Sequence, residues 1–550
     1  MEGNEFILGR VEIGDDCYIG SSATIGPDVI IDDSAELADL TSLASGIRVG
    51  AGEKWDGSPG RKVGLVDFAS LPPHAEASPQ RRFFNAAFAA LMLLVVPPLG
   101  LMPILPAFYF FDRLDDFVGS FIPINYLYLT PIVAWPTAMA LIALTVLLIA
   151  VIRWIVLPRV KSGVYSVHST FYWRMWLVGL CSAVTLNTLN SLYATFYMRW
   201  WYRLMGAKIG RGAEISTSLG GRFDLVEIGA NCFIADEVVL GEEDIRRGYM
   251  TLDPVKIADR TFVGNSAVVP PGTHIASGAL IGVKSKPPGT VVAEKEIWFG
   301  SPPLKFPVRQ TFDVSDIWTF EPSFARKLGR AVFEAFCLSL PTALYITFGA
   351  FAAEYLAPAI LDGGPLELIP QFLAAGALIS VMMMLIVCAL KWLLMGVYKP
   401  MMRPMWSWFA LRSEAIAVAY STMASRVLLE HLHGTPMLAW CLRLFGAKIG
   451  EGTYWGTTDI TEFDCVDVGD FCVINENALL QTHLYEDRLM KIGRIKLGKG
   501  VTVAASSIVL YDTTVGDFAR LGPLTVVMKG EGIPPNAAWW GAPAQPSQVR

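Results

Sequence analysis

Residues 7–49 read ILGRVEIGDDCYIGSSATIGPDVIIDDSAELADLTSLASGIRV, and this stretch decides the fold. An aliphatic residue occupies every sixth position from Ile7 to Val49, and glycine follows several of them. A six-residue period of this kind is typical of a β-helix in which three hexads make one coil and the aliphatic side chains stack inside a triangular prism. The stretch therefore predicts a left-handed parallel β-helix of the hexapeptide-repeat type.

The same period returns twice, from Ile228 to Ile281 and from Val468 to Ile533. The segments RLMGAKIG and RLFGAKIG begin at Arg203 and Arg443, and an offset of 240 residues aligns the second repeat region with the third. The first region ends in WDGSPG, much as the others end in WFGSPP and WWGAPA, but no membrane hairpin precedes it. We predict three tandem β-helices, of which the first is a shortened unit. Their predicted bounds are 1–66, 206–308 and 446–547.

A mean hydropathy of +0.44 with 17% charged residues is too apolar for a wholly soluble chain. Four stretches without charge are each long enough to cross about 30 Å of hydrocarbon, and prolines should kink or break the first of them. We predict two transmembrane hairpins and, after each, a pair of interfacial helices that packs a β-helix onto the bilayer. The charge-free stretches are 83–111, 117–152, 335–353 and 368–390; the hairpins are 81–161 and 326–400; the interfacial helices are 165–205 and 405–445.

Charge at the ends of the hairpins predicts their orientation. Arginine and lysine flank the outer ends, whereas the connectors inside each hairpin are acidic. By the positive-inside rule, all three β-helices should face the cytoplasm of a bacterial inner membrane. The net charge of -6, without a basic arm, excludes nucleic acid as an expected partner. The eight cysteines form no CxxC pair, so neither a metal site nor a redox dithiol is expected.

Both later repeat regions are interrupted at the same place, by GEEDIRRGYMTLDPVK at 241–256 and QTHLYEDRLMKIGRIK at 481–496. Loops that leave a regular scaffold are common positions for function. His483 of the last copy stands opposite Glu243 of the middle copy. Imidazole is well suited to accept a proton from an attacking amine or hydroxyl near neutral pH. His483 is thus either a general base or an exposed loop residue.

Acidic residues nearby provide candidate partners. Asp464 and Glu476 could orient His483 or hold a cationic amine, and Asp224 and Asp236 are their counterparts in the middle copy. Asp459, Glu462 and Asp467 are either substrate contacts or, in the simpler interpretation, a solvated face of the β-helix. We name His483, Glu476 and Asp464 as the candidate catalytic residues. The candidate substrate-binding residues are Asp459, Tyr485, Glu486, Asp236, Glu243 and Asp224.

Four segments carry a resemblance to a known family. They are TEFDCVDVGDFCVINENALLQTHLYEDRLMKIGRIKLGKGVTV at 461–503, IVLYDTTVGDFARLGPLTVVMKGE at 508–531, CFIADEVVLGEE at 232–243 and FVGNSAVVPPGT at 262–273. The chain resembles the C-terminal membrane region of poly-lysine synthetases, which are single-module nonribosomal peptide synthetases. In that family an adenylation domain activates a basic amino acid, a carrier domain holds it as a phosphopantetheine thioester, and the membrane region forms the isopeptide bonds.

The resemblance implies that this chain is the polymerising part, either a piece of a larger synthetase or a split protein acting in trans. Adenylation and carrier domains, a basic amino acid with its polymer, and the lipid bilayer are the implied partners, and oligomerisation is possible. Our hypothesis is thioester aminolysis, with His483 as base and Asp464 and Glu476 holding ammonium groups. Two alternatives stay open: a coenzyme-A-dependent O- or N-acyltransferase of an envelope polymer, and a non-catalytic scaffold or export conduit.

Overall fold

The computed structural model describes residues 5–121, 126–188, 192, 195–307, 314–361 and 363–547. Three sets of parallel sheets alternate with apolar helices along these residues. A few residues of the predicted first β-helix, of the first hairpin connector and of the first pair of interfacial helices lie outside the described residues.

One coil of the β-helix takes 18 residues. Ile13 pairs in parallel with Ile31, and Ile31 pairs with Val49. Corners of the coil place single residues in the left-handed region, as at Asp16 and Ser22 with φ of 55° and 57°. The predicted parallel β-helix is therefore present, with Ile31, Leu37 and Val49 buried inside it, whereas Ile13 and Ile19 are 50% and 40% exposed. Its left-handed winding stays a prediction of the repeat.

The strands of the first β-helix span Glu12 to Leu65. They are Glu12–Ile13, Tyr18–Ile19, Thr24–Ile25, Ile30–Ile31, Glu36–Leu37, Ser42–Leu43, Arg48–Val49, Glu53–Asp56 and Arg61–Leu65.

The second and third β-helices have more coils, and each is interrupted by an antiparallel hairpin. The strands of the second are Lys208–Ile209, Glu214–Ile215, Val226–Ile228, Phe233–Ile234, Val239–Leu240, Val255–Ile257, Phe262–Val263, Val268–Val269, His274–Ile275, Leu280–Ile281, Val291–Val292, Ile297–Phe299 and Leu304–Phe306. Those of the third are Lys448–Ile449, Tyr454–Trp455, Val466–Val468, Val473–Ile474, Leu479–Gln481, Ile495–Leu497, Thr502–Val503, Ile508–Leu510, Thr513–Val515, Arg520–Leu521, Val526–Val527, Gly532–Ile533, Ala538–Trp540 and Gln545–Pro546.

Nine α-helices lie within the described residues. They are α1 (Pro79–Leu101), α2 (Ile104–Phe121), α3 (Tyr126–Val156), α4 (Thr170–Thr188), α5 (Phe196–Met205), α6 (Phe324–Leu361), α7 (Pro365–Leu394), α8 (Trp408–Ala419) and α9 (Pro436–Phe445). Four helical segments of the described part are long and apolar enough to cross a membrane: Pro79–Ser120, Leu127–Val156, Phe324–Leu361 and Leu366–Leu394. The first runs through Pro97 and Pro98, and the break between α1 and α2 comes after Leu101.

The helices before each later β-helix continue its core. Tyr202 and Met205 of α5 are fully buried against the second β-helix, and Leu442 and Phe445 of α9 are fully buried against the third. Both helices end at a glycine with positive φ, as at Gly206 with φ of 116°, where a side chain would be strained. The second and third β-helices therefore each have their first coil closed by the helix that leads from the membrane segments.

The three β-helices pack against one another. The backbone N–H of Ser58 donates to the carbonyl of Ser301 at 2.9 Å, and that of Ser301 donates to the carbonyl of Ala542 at 3.1 Å. The Ser58 hydroxyl donates to the carbonyl of Leu524 at 3.2 Å, which joins the first β-helix to the third. The similar motifs WDGSPG, WFGSPP and WWGAPA thus contact one another. A residue of one β-helix can therefore contribute to a site on its neighbour.

Candidate functional site

The interrupting loop of the third β-helix is a β-hairpin. His483–Glu486 pairs antiparallel with Leu489–Ile492, and Met401–Pro404, which follows α7, pairs with the other edge of that strand. The turn uses Asp487 and Arg488, both with positive φ. Arg488 then donates to the carbonyl of Gly212 on the second β-helix. The hairpin is thereby held between the third β-helix, the second β-helix and the segment that follows α7.

His483 begins this hairpin and forms a dyad with Glu462. Its Nδ1 lies 2.8 Å from Oε2 of Glu462. The Glu462 side chain is 2% exposed and that of His483 is 17% exposed. A carboxylate only accepts hydrogen bonds, so it places the imidazole proton on Nδ1 and leaves the lone pair on Nε2. That nitrogen is therefore available to receive a proton.

Hydroxyl groups surround the Glu462 carboxylate. Thr482 and Thr461 donate to its Oε2 at 2.7 and 2.8 Å, and Ser413 of α8 donates to its Oε1 at 3.2 Å. Burial would raise the pKa of Glu462, but the charge of His483 and the hydrogen bonds from His483 and Thr482 outweigh it and lower the pKa to about 2. Glu462 is thus ionised throughout the physiological range.

The acidic surroundings act on His483 in the opposite direction. Burial alone would lower its pKa, but the adjacent Glu462 carboxylate outweighs burial, and the charges of Asp236 and Glu414 add to it. The net effect raises the pKa of His483 above its ordinary value of 6.5. A raised pKa makes the neutral imidazole a stronger proton acceptor, which is the property that a general base needs.

Glu462 corrects the simpler interpretation of the acidic residues, which placed it on a solvated face. The chain makes a 3₁₀ turn over Phe463–Cys465, where successive residues rotate by about 120°. Glu462 therefore points towards the hairpin while Asp464 points away from it. Glu462, and not Asp464, is the residue that the structure brings to His483.

Asp464 instead joins the third β-helix to α7. Its Oδ2 lies 2.7 Å from Nζ of Lys391, which is fully buried, and it accepts the backbone N–H of Tyr398 at 3.0 Å. Asp224 repeats this arrangement in the second β-helix: its Oδ2 lies 2.5 Å from Nη2 of Arg153 and accepts the N–H of Val160 at 2.9 Å. The structure therefore places both aspartates at anchors between a β-helix and a membrane helix.

Three other predicted residues of the third β-helix, Glu476, Tyr485 and Glu486, lie in different environments. Glu476 is exposed on a corner of the third β-helix. Glu486 accepts hydrogen bonds from Lys491 and from Lys529, the latter at 2.7 Å, so its charge is neutralised within the third β-helix. Tyr485 packs edge to face with the His483 ring at a centroid distance of 5.5 Å. Of these three side chains, Tyr485 is the one that contacts the dyad.

Asp236 of the second β-helix and Asp459 of the third belong to one acidic cluster, in which the charge of Asp459 acts on Asp236. Both side chains are accessible to solvent. The surrounding protein nevertheless desolvates Asp236 and, with the charge of Glu237, raises its pKa to about 6, although His483 opposes the shift. Desolvation and Glu237 also raise the pKa of Asp459. Accessible carboxylates that lie close to one another can hold a cationic group.

The matching positions of the second β-helix carry a different pair. Arg222 and Glu243 stand 240 residues before Glu462 and His483, and the Arg222 guanidinium donates to the Glu243 carboxylate. Sequence reasoning identified the substitution of His483 by Glu243 but not the accompanying exchange at position 222. An alignment at the 240-residue offset shows both exchanges, which together reverse the polarity of one ion pair.

Ser413 was not found from the sequence. It belongs to α8, 49 residues before the carboxylate that it contacts, and its hydroxyl also lies 3.3 Å from that of Tyr398. The predicted interfacial segment containing α8 therefore contributes a side chain to the dyad's surroundings. No group of three or more His, Cys, Asp or Glu residues in the described part of the chain is arranged to hold a metal ion.

Comparisons with known proteins show one extensive similarity. The chain is 39% identical over 552 aligned residues, covering 99% of its length, to the delta-poly-L-ornithine synthetase of Acinetobacter baumannii strain AB307-0294. It spans 41% of the length of that relative. No protein-family model matches the chain.

Two crystal structures of a Neisseria gonorrhoeae serine acetyltransferase match with 18% identity and a TM-score of 0.16. The match to the serine complex covers 43% of this chain and all of that chain. The other covers 44% of this chain and 95% of that chain.

Proposed function

We propose that this chain forms amide bonds by transferring an aminoacyl group from a thioester to the amine of a basic amino acid or of a growing homopolymer. The observation that carries the proposal is the Glu462–His483 dyad, whose imidazole interacts electrostatically with Asp236 of the acidic cluster. A base beside carboxylates suits an acceptor with several amines, because one amine must lose a proton while the others stay charged. The similarity to a poly-ornithine synthetase supports this substrate class.

The reaction needs one base and one binding site for cations. The acceptor nitrogen attacks the thioester carbonyl carbon, a C–N bond forms and the C–S bond breaks. His483 Nε2 takes the proton that the nitrogen loses and returns it to the departing sulfur, so the base is regenerated. Glu462 stabilises the imidazolium formed between these two transfers. Asp236 and Asp459 hold a second ammonium group of the acceptor.

The donor, in this proposal, is an aminoacyl thioester on the phosphopantetheine arm of a carrier domain. The chain matches less than half the length of its relative. We therefore propose that adenylation and carrier domains act with it, in cis or in trans. Coenzyme A carries the same arm, so an acyl-coenzyme A is the alternative donor for the same dyad.

We place the three β-helices on the cytoplasmic side of the inner membrane. The hairpins α1–α3 and α6–α7 each begin and end next to a β-helix, so the three β-helices lie on one side. Arg153 and Lys391, at the inner ends of α3 and α7, pair with Asp224 and Asp464 of the β-helices. This placement agrees with the positive-inside rule.

Reconstitution of the full chain in lipid tests the proposal. Ornithine or lysine thioesters of a carrier domain and of coenzyme A are supplied in separate reactions with the free amino acid, and products are read by mass spectrometry. We expect amide-linked oligomers from the carrier thioester, and no oligomers with His483→Ala. Transfer from acyl-coenzyme A alone would favour the acyltransferase. Absence of transfer from either donor would favour a scaffold.

A further inference from the structure

Lys284 occupies a corner of the second β-helix where the other two β-helices hold leucine. Leu40 and Leu524 are 1% and 2% exposed, and Lys284 is 7% exposed. All three residues have positive φ, of 56°, 51° and 43° respectively, as expected for the same corner of the coil. A buried apolar side chain is therefore sufficient for the fold at this corner, so the fold does not explain why a lysine is there.

Hydrogen bonds connect this corner with the dyad. The backbone N–H of Lys284 donates to the carbonyl of Asn265 at 2.9 Å, and the Asn265 amide donates to the Gln481 side chain at 3.4 Å. Gln481 in turn donates to the carbonyl of His483 at 2.9 Å. Lys284 thus lies on the wall that the second β-helix presents to the hairpin of the third.

The Lys284 ammonium has neither a hydrogen bond nor an ion pair within the part of the chain that the structure describes. Burial lowers its pKa, and the charge of Glu237 opposes that shift. Glu237 is itself hydrogen-bonded by Ser266 at 2.9 Å. A mostly buried lysine whose ammonium has no direct protein partner is available to an anionic group of a ligand.

We propose that Lys284 binds the carboxylate of the acceptor amino acid, an inference that rests on the proposed function. A basic amino acid carries two amines and one carboxylate. The acidic cluster accommodates the amines, and Lys284 is a cation near it, since the charge of Glu237 acts on both Lys284 and Asp236. Of the three interfaces between β-helices, the one with the imidazole also has this lysine. Lys284 therefore orients the acceptor so that one amine reaches His483.

Calorimetric titration of the detergent-solubilised full chain tests this role without requiring turnover. The probes are L-ornithine and L-ornithinamide, which lacks the carboxylate. We expect the wild type to bind ornithine more tightly than the amide. Lys284→Leu, which installs the residue of the two sister corners, should weaken ornithine binding about tenfold and remove the preference, since a charge-assisted hydrogen bond is lost.

Three further variants complete the experiment. Lys284→Arg should retain the preference for the carboxylate, whereas Lys256→Leu, which removes an exposed lysine of the same β-helix, should bind both probes as the wild type does. Unchanged ornithine affinity in Lys284→Leu would overturn the inference, and so would equal weakening for both probes. His483→Ala should still bind ornithine. If the wild-type chain binds ornithine with the expected preference but forms no peptide, the proposed function would be contradicted, while the contact between Lys284 and the carboxylate would still be supported.

Discussion

Arg222 donates a hydrogen bond to Glu243 in the second β-helix, at the positions that Glu462 and His483 occupy in the third. The two β-helices thus keep one ion pair and reverse its polarity. A guanidinium does not release its proton near neutral pH, whereas an imidazolium does. The pair in the second β-helix can therefore only hold its hairpin in place, which explains how two similar hairpins come to have different roles.

Replacement of the dyad's carboxylate should change the pH dependence as well as the rate. Glu462 raises the pKa of His483, so Glu462→Gln should lower that pKa and move the acidic limb of the rate profile to lower pH. The maximal rate should fall about tenfold to a hundredfold, because the imidazolium loses its counter-charge. Rates of aminolysis between pH 5 and 9 measure both effects.

Glu476→Gln provides the matched control. It removes an exposed carboxylate of the same β-helix that the sequence had suggested as a partner of His483. We expect the wild-type profile from this variant. An acidic limb that moves in Glu476→Gln and stays in place in Glu462→Gln would reverse the assignment of the partner.

Acceptor affinity should depend on the ionisation of Asp236. Because desolvation by the surrounding protein and the charge of Glu237 raise its pKa to about 6, its charge is present above that pH and is lost as the pH falls through it. The KM for the amine acceptor should therefore rise as the pH is lowered from 7 to 5. In Asp236→Asn the KM should be higher at pH 7, by about fivefold to tenfold, and this dependence should be weaker.

The kcat of the same variant distinguishes weaker acceptor binding from loss of the base. The kcat of Asp236→Asn, measured at saturating acceptor, should stay within about threefold of the wild type. A large fall in kcat with an unchanged KM would contradict a binding role for this carboxylate.

Asp464 should affect stability and not the protonation of His483. Asp464→Asn leaves the buried Lys391 without its counter-charge, and removal of one partner from a buried ion pair costs about 3–5 kcal/mol. Thermal unfolding in detergent should show this loss, while the surviving folded protein keeps the wild-type pH profile. Asp224→Asn, which breaks the equivalent pair with Arg153, should behave similarly. A displaced pH profile without loss of stability would return Asp464 to the catalytic site.

The repeat, the apolar spans and the loops that interrupt the repeat could be predicted from the sequence because each depends on a local pattern. The period from Ile7 to Val49 gives the coil, and the 240-residue offset gives the second hairpin. The carboxylate that pairs with His483 could not be identified from these local patterns. The direction of Glu462 depends on the 3₁₀ turn at Phe463–Cys465, which breaks the period just where the choice must be made.

Contacts between segments that are distant in the sequence could not be predicted from its periodicity either. Ser413 reaches Glu462 from a helix that leads out of the membrane segments, and Lys284 lies on a different β-helix from His483. Neither residue stands out from its neighbours in the sequence. The 240-residue offset aligns Lys284 with Leu524, but the burial of this corner and its match with Leu40 require the register of the coils.

The central claim is that His483 is the base and that the matching position in the second β-helix is not. Single-turnover aminolysis of a carrier-bound aminoacyl thioester tests it, with His483→Ala and Glu243→Ala compared at saturating acceptor. We predict a loss of about a hundredfold or more for His483→Ala and a rate within about threefold of the wild type for folded Glu243→Ala. A wild-type rate for His483→Ala, or equal losses in both variants, would contradict the account.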